Sequence, residues 1–316
     1  MIVVLTGGTG GAKFVEGLSR ILPPGELTVI VNTGDDLLWW GLHVSPDLDS
    51  ITYALAGMLS KERGWGVEGD SFRCLEAMRR LGAPDWFQLG DLDLATHLMR
   101  TQLLANGRTL TQATTEITNK FGVGARVLPM SNDPIETRVQ TEGGELYFQE
   151  YFVRERFRPG VRGVRFVGAE KAEPAPGIAE AITGASAIFL APSNPITSIG
   201  PILSVPGIRE ALIKTEAPVA AISPIVNGAA VSGPAAALMQ SQGLAASIAG
   251  VASAYEDFLD VLIVDESDGA TAAELRGEGI EVHCTKTVMK SMEDKIDLAQ
   301  AALSFVQPSV QLAGRG

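Results

Sequence analysis

Short apolar segments alternate with stretches of helical periodicity at both ends of the chain. The segments that predict buried strands are Ile2–Leu5, Leu27–Val31, Ala187–Ala191, Val219–Ser223, Val261–Val264 and Glu281–Cys284. Helical spacing follows the first strand to about Leu22, and it recurs at Ile178–Thr183, Ile208–Lys214, Gly233–Gln242, Thr271–Glu278 and Met289–Phe305. Strands that alternate with helices in this way are typical of an α/β fold with a parallel sheet.

The middle of the chain has a different pattern. Helical spacing predicts helices over Asp49–Leu59, Phe72–Leu81, Ala95–Ala105 and Leu110–Phe121. Glu142-Gly143-Gly144 then separates two strand-like segments, Ile135–Gln140 and Glu145–Val153, which indicates a hairpin. We therefore predict one domain over residues 1–306, with a doubly wound, mostly parallel core (about 1–45 and 178–306) and a smaller helical and hairpin cap inserted at about 46–177. Residues 307–316 are predicted to be a C-terminal tail.

Composition limits the class of partner. The 316 residues carry a formal charge of −12, which argues against nucleic acid or an anionic membrane as the main partner. An anionic substrate must then be held by local donors, by a few cationic side chains or by a metal ion. The two cysteines, Cys74 and Cys284, have no C-x-x-C spacing and fit a reducing compartment. No apolar run reaches the roughly 18–20 residues of a membrane span, so we expect a cytoplasmic protein.

The first strand runs into a glycine-rich loop, Gly7-Gly8-Thr9-Gly10-Gly11. Glycines at the end of a first strand let the backbone approach a ligand, and a helix N-terminus stabilises an anion there. The loop is not a P-loop, because Lys13 is followed by Phe14, and Lys13 also replaces the third glycine of G-x-G-x-x-G. The pattern favours a phosphate or nucleotide contact, and a tight strand-to-helix turn without a ligand remains the alternative.

Acidic residues cluster after the second strand and again in the middle of the chain. They are Asp35, Asp36, Asp47 and Asp49, followed by Asp91 and Asp93. Carboxylates in loops at the carboxyl edge of a sheet are where Mg²⁺ is held together with substrate phosphates. Taken singly, Asp49 and Asp93 also suit the N-caps of the helices that follow them.

Two further core strands end in polar, proline-rich loops. Ser193-Asn194-Pro195 and the segment from Ser223 to Gly228 offer hydroxyls and backbone donors to a phosphate or a base edge, although both could be ordinary loops. His97 is either structural or a ligand contact. The basic stretch Arg154, Arg156, Arg158, Arg162 and Arg165 is expected to be solvated or paired with acids, and a role in binding an anion or a dimer partner remains open.

Longer motifs identify a family. They are Gly7-Gly8-Thr9-Gly10-Gly11-Ala12-Lys13, Val31-Asn32-Thr33-Gly34-Asp35-Asp36, Ser45-Pro46-Asp47-Leu48-Asp49, Arg63-Gly64-Trp65-Gly66, Asp93-Leu94-Ala95-Thr96-His97, Phe148-Gln149-Glu150-Tyr151 and Ser193-Asn194-Pro195-Ile196-Thr197-Ser198-Ile199-Gly200-Pro201. With these residues the sequence resembles the 2-phospho-L-lactate transferases (CofD, called FbiA in actinobacteria) of coenzyme F-420 biosynthesis. The resemblance extends over roughly residues 1–306.

The resemblance implies a Rossmann-like core with a small cap, and a homodimer. It implies transfer of a phospho-acid group, phospholactyl or phosphoenolpyruvyl, from a guanosine diphosphate-linked donor to the terminal ribityl hydroxyl of the deazaflavin Fo. GMP is released, and Mg²⁺ is required. Neither nucleic acid nor a membrane is an expected partner.

The resemblance also assigns candidate roles to the residues of the matching motifs. Catalysis is expected at Asp49 and Asp36, and Mg²⁺ binding at Asp35, Asp47, Asp49 and Asp93. Substrate contacts are expected from Gly8, Thr9, Gly10, Gly11, Lys13, Asp91, Leu92, His97, Ser193, Asn194, Pro195, Ser223 and Gly228. The sequence departs from many relatives at Leu92, where they carry a basic residue near the deazaflavin.

Other interpretations stay open at this point. The donor acid could be lactyl, enolpyruvyl or glyceryl phosphate, and Arg63-Gly64-Trp65-Gly66 looks more like the actinobacterial branch, for which the enolpyruvyl donor is expected. The main alternative is a regulator of related fold that binds a nucleotide-sugar without catalysis. An NAD-dependent oxidoreductase is disfavoured by the broken glycine motif.

Overall fold

A seven-stranded parallel sheet forms the centre of the protein, in a computed structural model that describes residues 1–306. The predicted tail, 307–316, lies outside the described residues. The strands are β1 (Ile2–Thr6), β2 (Leu27–Val31), β3 (Leu37–Trp39), β4 (Leu42–Val44), β5 (Arg126–Pro129), β6 (Glu136–Thr141), β7 (Gly144–Tyr147), β8 (Val161–Val167), β9 (Ala187–Leu190), β10 (Val219–Ile222), β11 (Ile225–Val226), β12 (Ala229–Ala230), β13 (Val261–Asp265) and β14 (Glu281–Thr285).

Helices cover both faces of this sheet. They are α1 (Gly8–Ile21), α2 (Pro46–Leu55), α3 (Arg73–Arg80), α4 (Asp91–Ala105), α5 (Leu110–Lys120), α6 (Ile178–Thr183), α7 (Gly200–Ser204), α8 (Ile208–Lys214), α9 (Ala235–Ser241), α10 (Ile248–Ala254), α11 (Gly269–Gly277) and α12 (Met292–Val306). Short π-helical turns occupy Glu150–Arg154 and Pro195–Ile199, and 3-10 turns occupy Ala169–Lys171 and Glu266–Asp268.

The strand order of the sheet is β14-β13-β10-β9-β1-β2-β5, and every neighbouring pair is parallel. All residues of β1 and β2 are buried, as expected of central strands with helices on both faces. Val3 and Leu5 face the layer of α6, α8, α10 and α11, while Ile2 and Val4 face α1, α2 and α12. The predicted doubly wound α/β fold is confirmed.

The chain reverses its direction of travel across the sheet between β1 and β9. It passes from β1 to β2 and β5 on one side, then returns to β9 on the other side of β1. In open α/β sheets the ligand crevice lies at such a switch point, outside the carboxyl ends of the strands. Here these ends carry the glycine loop after β1 and the Ser193-Asn194-Pro195 loop after β9.

The predicted core strands are present to within one residue at each end. One predicted strand is wrong over most of its length: Glu145–Val153 forms only the short β7, and Glu150–Arg154 is a π-helical turn. Glu150 stabilises that turn, because its carboxylate accepts from the Tyr147 amide at 3.1 Å and pairs with Arg154 at 2.7 Å.

Strand β5 extends the core sheet, although it lies inside the predicted insertion, 46–177. The antiparallel sheet β7-β6-β8 and the β3-β4 hairpin lie outside the central sheet. An aromatic cluster of Trp39, Trp40, Trp86 and Phe87 supports the hairpin. The proposed division into core and cap remains a prediction.

Within residues 1–306, no single helix is long and apolar enough to cross a membrane. The segments Pro195–Ser204 and Ile208–Lys214 reach that length and composition only together, and they are bent by 89° relative to each other.

Helices α1 and α12 pack against each other at Gly17. A Cβ atom at this position would lie 2.2 Å from the carbonyl oxygen of Lys295. The Lys295 ammonium also donates to the carboxylate of Glu16 at 2.6 Å, so the contact combines close backbone packing with a half-buried ion pair. Any side chain at residue 17 must therefore push α12 away from α1.

We predict that Gly17→Ala lowers the free energy of unfolding by about 1–3 kcal/mol, because the backbone of α12 has to shift. Urea denaturation measures this. The matched control is Gly277→Ala at the end of α11, where an added Cβ meets open space. This control should be neutral or stabilising by up to about 1 kcal/mol, since alanine favours helix. Equal losses in the two variants would contradict close packing at Gly17.

Candidate active site

A cavity of about 670 Å³ opens at the carboxyl ends of the core strands. Its wall on the sheet side is made by the glycine loop, by the loops after β9 and β10, and by residues 287–290 after β14. The segments outside the central sheet complete it with an aromatic wall, Trp65, Trp86, Phe87, Phe148 and Phe152. The cavity is therefore polar where the strands end and apolar opposite.

A buried carboxylate holds the glycine loop in place. Asp47, in the first turn of α2, accepts from the Gly8 amide at 2.7 Å and from the Asn32 side-chain amide at 2.9 Å. Asn32 also donates to the Thr197 carbonyl at 3.3 Å and accepts from the Gly34 amide at 2.8 Å. Asp47 thus connects the loops that follow β1, β2 and β9, and it uses the Gly8 amide that the sequence suggested for a ligand.

Three carboxyls at this end of the sheet have pKa values that burial raises. Burial raises the pKa of Asp47 to about 6, against the hydrogen bonds from Asn32 and Gly8. Burial, with the nearby charge of Asp47, raises the pKa of Asp35 well above its usual range. Burial likewise raises the pKa of Asp36, although Ser45 donates to it at 2.6 Å. Burial lowers the pKa of His43 to about 4, so this imidazole supplies no charge near neutral pH.

A second acidic group has its own buried cation. Both oxygens of Asp49 pair with the Arg100 guanidinium, which is only 2% exposed. His97 lies between two carboxylates, with Nδ1 3.5 Å from Asp49 and Nε2 3.3 Å from Asp93. Asp93 also accepts from the Tyr53 hydroxyl at 2.7 Å. Burial opposes ionisation of Asp93, but the hydrogen bond and charge of His97 bring its pKa below the usual range.

The arrangement of acids fits a divalent cation. Ligand atoms of Asp49, Asp93 and His97 lie within 4.8 Å of one another. One oxygen each of Asp35 and Asp36 is buried without any hydrogen-bond partner among the described residues. Hard oxygen ligands of this kind suit Mg²⁺. The four predicted metal residues thus fall into two groups, Asp35 with Asp47 and Asp49 with Asp93.

The predicted substrate residues of the core loops are placed around the cavity. Gly8, Thr9, Gly10, Lys13, Ser193, Asn194, Ser223 and His97 all line it. Gly11 and Pro195 do not; a Cβ at Gly11 would lie against the Thr6 side chain, so this glycine serves packing. Ser193 donates to the Gly7 carbonyl at 2.7 Å, and Asn194 caps the π-helical turn after it.

Four further predicted residues also lie away from the cavity lining. Asp91 accepts from Ser71 and from the amides of Arg73 and Cys74, so it caps α3, and these hydrogen bonds lower its pKa. Leu92 beside it is 53% exposed. Gly228 forms the tip of the β11-β12 hairpin, and Asp36 lies behind Ser45. The roles assigned to these residues remain predictions.

The structure adds residues that the sequence did not single out. Arg100 donates to Asp49, Tyr53 donates to Asp93, and Lys290 adds positive charge to the lining, as does Arg156 of the basic stretch named above. Trp65 and Phe148 belong to two of the family motifs, Arg63-Gly64-Trp65-Gly66 and Phe148-Gln149-Glu150-Tyr151. The motif match was therefore a signal from which these aromatic lining residues could have been predicted. No sequence signal marked Arg100, because a single arginine on a helix is common in proteins of every function.

Comparison with known proteins identifies a family. A profile of the 2-phospho-L-lactate transferase CofD family matches residues 2–299. The chain is 42% identical over 299 residues to a 2-phospho-L-lactate transferase of Methanosarcina mazei, covering 95% of this chain and 98% of that protein. It is 43% identical over 307 residues to the transferase of the same name from Methanothermobacter thermautotrophicus, covering 97% and 98%. It is also 42% identical over 312 residues to a phosphoenolpyruvate transferase of Streptomyces griseus, covering 97% and 98%.

Among solved structures, a UPF0052-family protein from Bacillus halodurans is similar, with a TM-score of 0.64. The two share 20% sequence identity, and the match covers 96% of this chain and 98% of that one. At this identity the likeness shows the fold alone.

The buried acids predict a pH-dependent stability. Unfolded, Asp47 ionises near its ordinary value of 3.8; folded, it ionises at about 6. The folded state holds the proton more tightly, so this carboxyl costs stability as the pH rises from about 4 to about 6, and no more above that. We predict that Asp47→Asn removes this loss, which is up to about 3 kcal/mol.

Urea denaturation of both proteins in EDTA, at intervals from pH 4 to 8, measures the difference. Asparagine also loses one of the two accepted hydrogen bonds, but that cost does not change with pH. The readout is therefore the slope of the free energy of unfolding against pH, compared between the two proteins. Parallel stability curves for the two proteins would contradict a raised pKa at Asp47.

Proposed function

The chain belongs to the CofD family of 2-phospho-L-lactate transferases, and we propose that it moves a phospho-acid group from a guanosine diphosphate-linked donor to the ribityl hydroxyl of the deazaflavin Fo, releasing GMP. The observation that carries the proposal is the composition of one cavity. A glycine loop, two groups of buried acids and an aromatic wall meet there. A phosphate-rich donor and a planar acceptor need these three surfaces together.

Positioning dominates such a transfer. The acceptor hydroxyl oxygen forms a bond to the phosphorus distal to guanosine, the bond from that phosphorus to the GMP oxygen breaks, GMP leaves, and the hydroxyl proton passes to solvent. In this proposal the glycine loop, Lys13 and Ser193 bind the diphosphate, and residues 223–228 complete the guanosine pocket. Asp49 orients the acceptor hydroxyl, and Arg100 fixes the Asp49 carboxylate through both of its oxygens.

Mg²⁺ is part of the proposal, because the family resemblance implies it and the acids fit it. Among the described residues, neither Asp35 nor Asp47 pairs with a cation, and both have raised pKa values, whereas Arg100 already neutralises Asp49. We therefore propose that the cation binds chiefly at Asp35 and Asp47. Asp49 and Asp93 form the neighbouring pair of acids. When bound, the ion would neutralise phosphate charge. In this proposal Asp36 supports the neighbouring acids only indirectly, through the hydrogen bond that it accepts from the Ser45 hydroxyl.

The donor acid stays open between the phospholactyl and phosphoenolpyruvyl forms. Relatives carrying either name match this chain at nearly the same identity, 42% in both the Methanosarcina mazei and the Streptomyces griseus cases. One or two side chains near the acid decide such a difference. A homodimer and a cytoplasmic location remain part of the proposal on the family resemblance.

The direct test supplies purified protein with Fo, Mg²⁺ and each guanylylated acid in turn: phospholactate, phosphoenolpyruvate and phosphoglycerate. Mass spectrometry should detect GMP and an Fo product that has gained one phospho-acid. Excess EDTA should lower the rate about 100-fold or more, because charge neutralisation by the ion is lost. Full activity in EDTA would exclude the metal. No product with any donor, together with tight binding of a nucleotide-sugar, would favour the regulator.

Asp49→Asn should lower turnover about 100-fold or more, since the group that orients the acceptor hydroxyl is lost. The substitution also leaves buried Arg100 without its charge partner, so rates are compared per folded protein after a thermal unfolding scan. Asp297→Asn, an exposed aspartate on α12, is the matched control and should be unchanged. A folded Asp49→Asn protein with near wild-type turnover would remove Asp49 from the mechanism.

A further inference from the structure

The basic stretch between residues 154 and 165 contains one arginine without a partner. The other four make contacts: Arg154 with Glu150 and Glu155, Arg158 with the Glu155 carbonyl, Arg162 with Glu142, and Arg165 with Glu145. Within residues 1–306, Arg156 makes no ion pair and no side-chain hydrogen bond. It is also the member of the stretch that lines the cavity.

The backbone at Arg156 is held in an unfavourable conformation. Arg156 and Phe157 both have positive φ angles, 52° and 45°. The Phe157 amide donates to the Tyr151 carbonyl at 2.8 Å, which closes the π-helical turn. Glycine is the usual residue where a helix ends in this left-handed conformation, and other residues cost of order 1–3 kcal/mol there. An unpaired arginine in a strained position beside a cavity suggests that its side chain serves the ligand.

The surroundings of Arg156 differ from those of the glycine loop, where the phosphates are proposed to bind. Lys13, on α1, donates to the Met289 carbonyl at 3.3 Å and lies beside the glycine loop. Arg156 follows the π-helical turn, where Phe148 and Phe152 stack with their ring centres 5.5 Å apart. Val153 also lines this part of the cavity. A cation next to apolar side chains suits a small acid with a carboxylate and a short carbon chain.

We propose that Arg156 binds the carboxylate of the donor's acid group and so selects donors that carry one. This rests on the proposed function. In the proposed function, the glycine loop and the cation held by Asp35 and Asp47 would bind the phosphates of either donor. The remaining charge is the carboxylate, beside a methyl or methylene carbon. A guanidinium binds a carboxylate through two parallel hydrogen bonds, and Phe152 and Val153 would contact the carbon.

The test compares two ligands that differ only in the acid: GDP and the guanylylated acid that the wild-type enzyme uses. Calorimetry with Mg²⁺ and without Fo measures binding alone. Arg156→Gln should weaken binding of the guanylylated acid about 10- to 100-fold and leave GDP unchanged, because only the acid-bearing ligand loses a charged hydrogen bond. Arg158→Gln, two residues along and outside the cavity lining, should change neither affinity.

A second variant separates ligand binding from structure. Arg156→Gly suits the left-handed backbone, so its unfolding midpoint should rise while its affinity for the guanylylated acid falls like that of Arg156→Gln. Unchanged affinity for the guanylylated acid in both variants would overturn the proposal, and so would an equal loss for GDP. A wild-type protein that turns over no donor would instead refute the proposed function.

Discussion

The carboxylate of Asp47 is the contact on which the cavity depends. It joins the first turn of α2 to the glycine loop through the Gly8 amide and to the end of β2 through Asn32. Asn32 in turn reaches the carbonyl of Thr197, after β9. These strands meet at the point where the sheet changes direction, so one buried acid fixes the spacing of the loops that surround the ligand. The raised pKa of Asp47 reflects the cost of burying this carboxyl, which its hydrogen bonds with Asn32 and Gly8 offset only in part.

Charge compensation differs among the buried acids that line the cavity. The acids at the cavity are divided between two kinds of environment. Asp49 pairs with Arg100 and Asp93 lies 3.3 Å from His97, whereas neither Asp35 nor Asp47 pairs with a cation among residues 1–306. In the proposed reaction, a divalent ion would supply the positive charge that Asp35 and Asp47 do not receive from the described residues.

The fold and the site carry different information. The similarity to the Bacillus halodurans structure, at 20% identity, concerns the fold alone. Family membership rests on a match over residues 2–299. A sheet of this kind supports many reactions, and the loops at the carboxyl ends of its strands set the chemistry. The aromatic wall and the strained Arg156 come from segments outside the central sheet.

The sequence by itself determined the core strands, the glycine loop and the family, because apolar periodicity and long motifs are local signals. It also indicated that Asp35 and Asp36 follow β2, but not that a hairpin, β3 and β4, separates them from Asp47 and Asp49. Only the tertiary structure decided that Arg100 pairs with Asp49, that Asp91 caps α3, and that β5 joins the central sheet. Such pairings depend on how segments far apart in the chain pack together. Burial then sets which carboxyl keeps its charge, and no pattern along the chain encodes that directly.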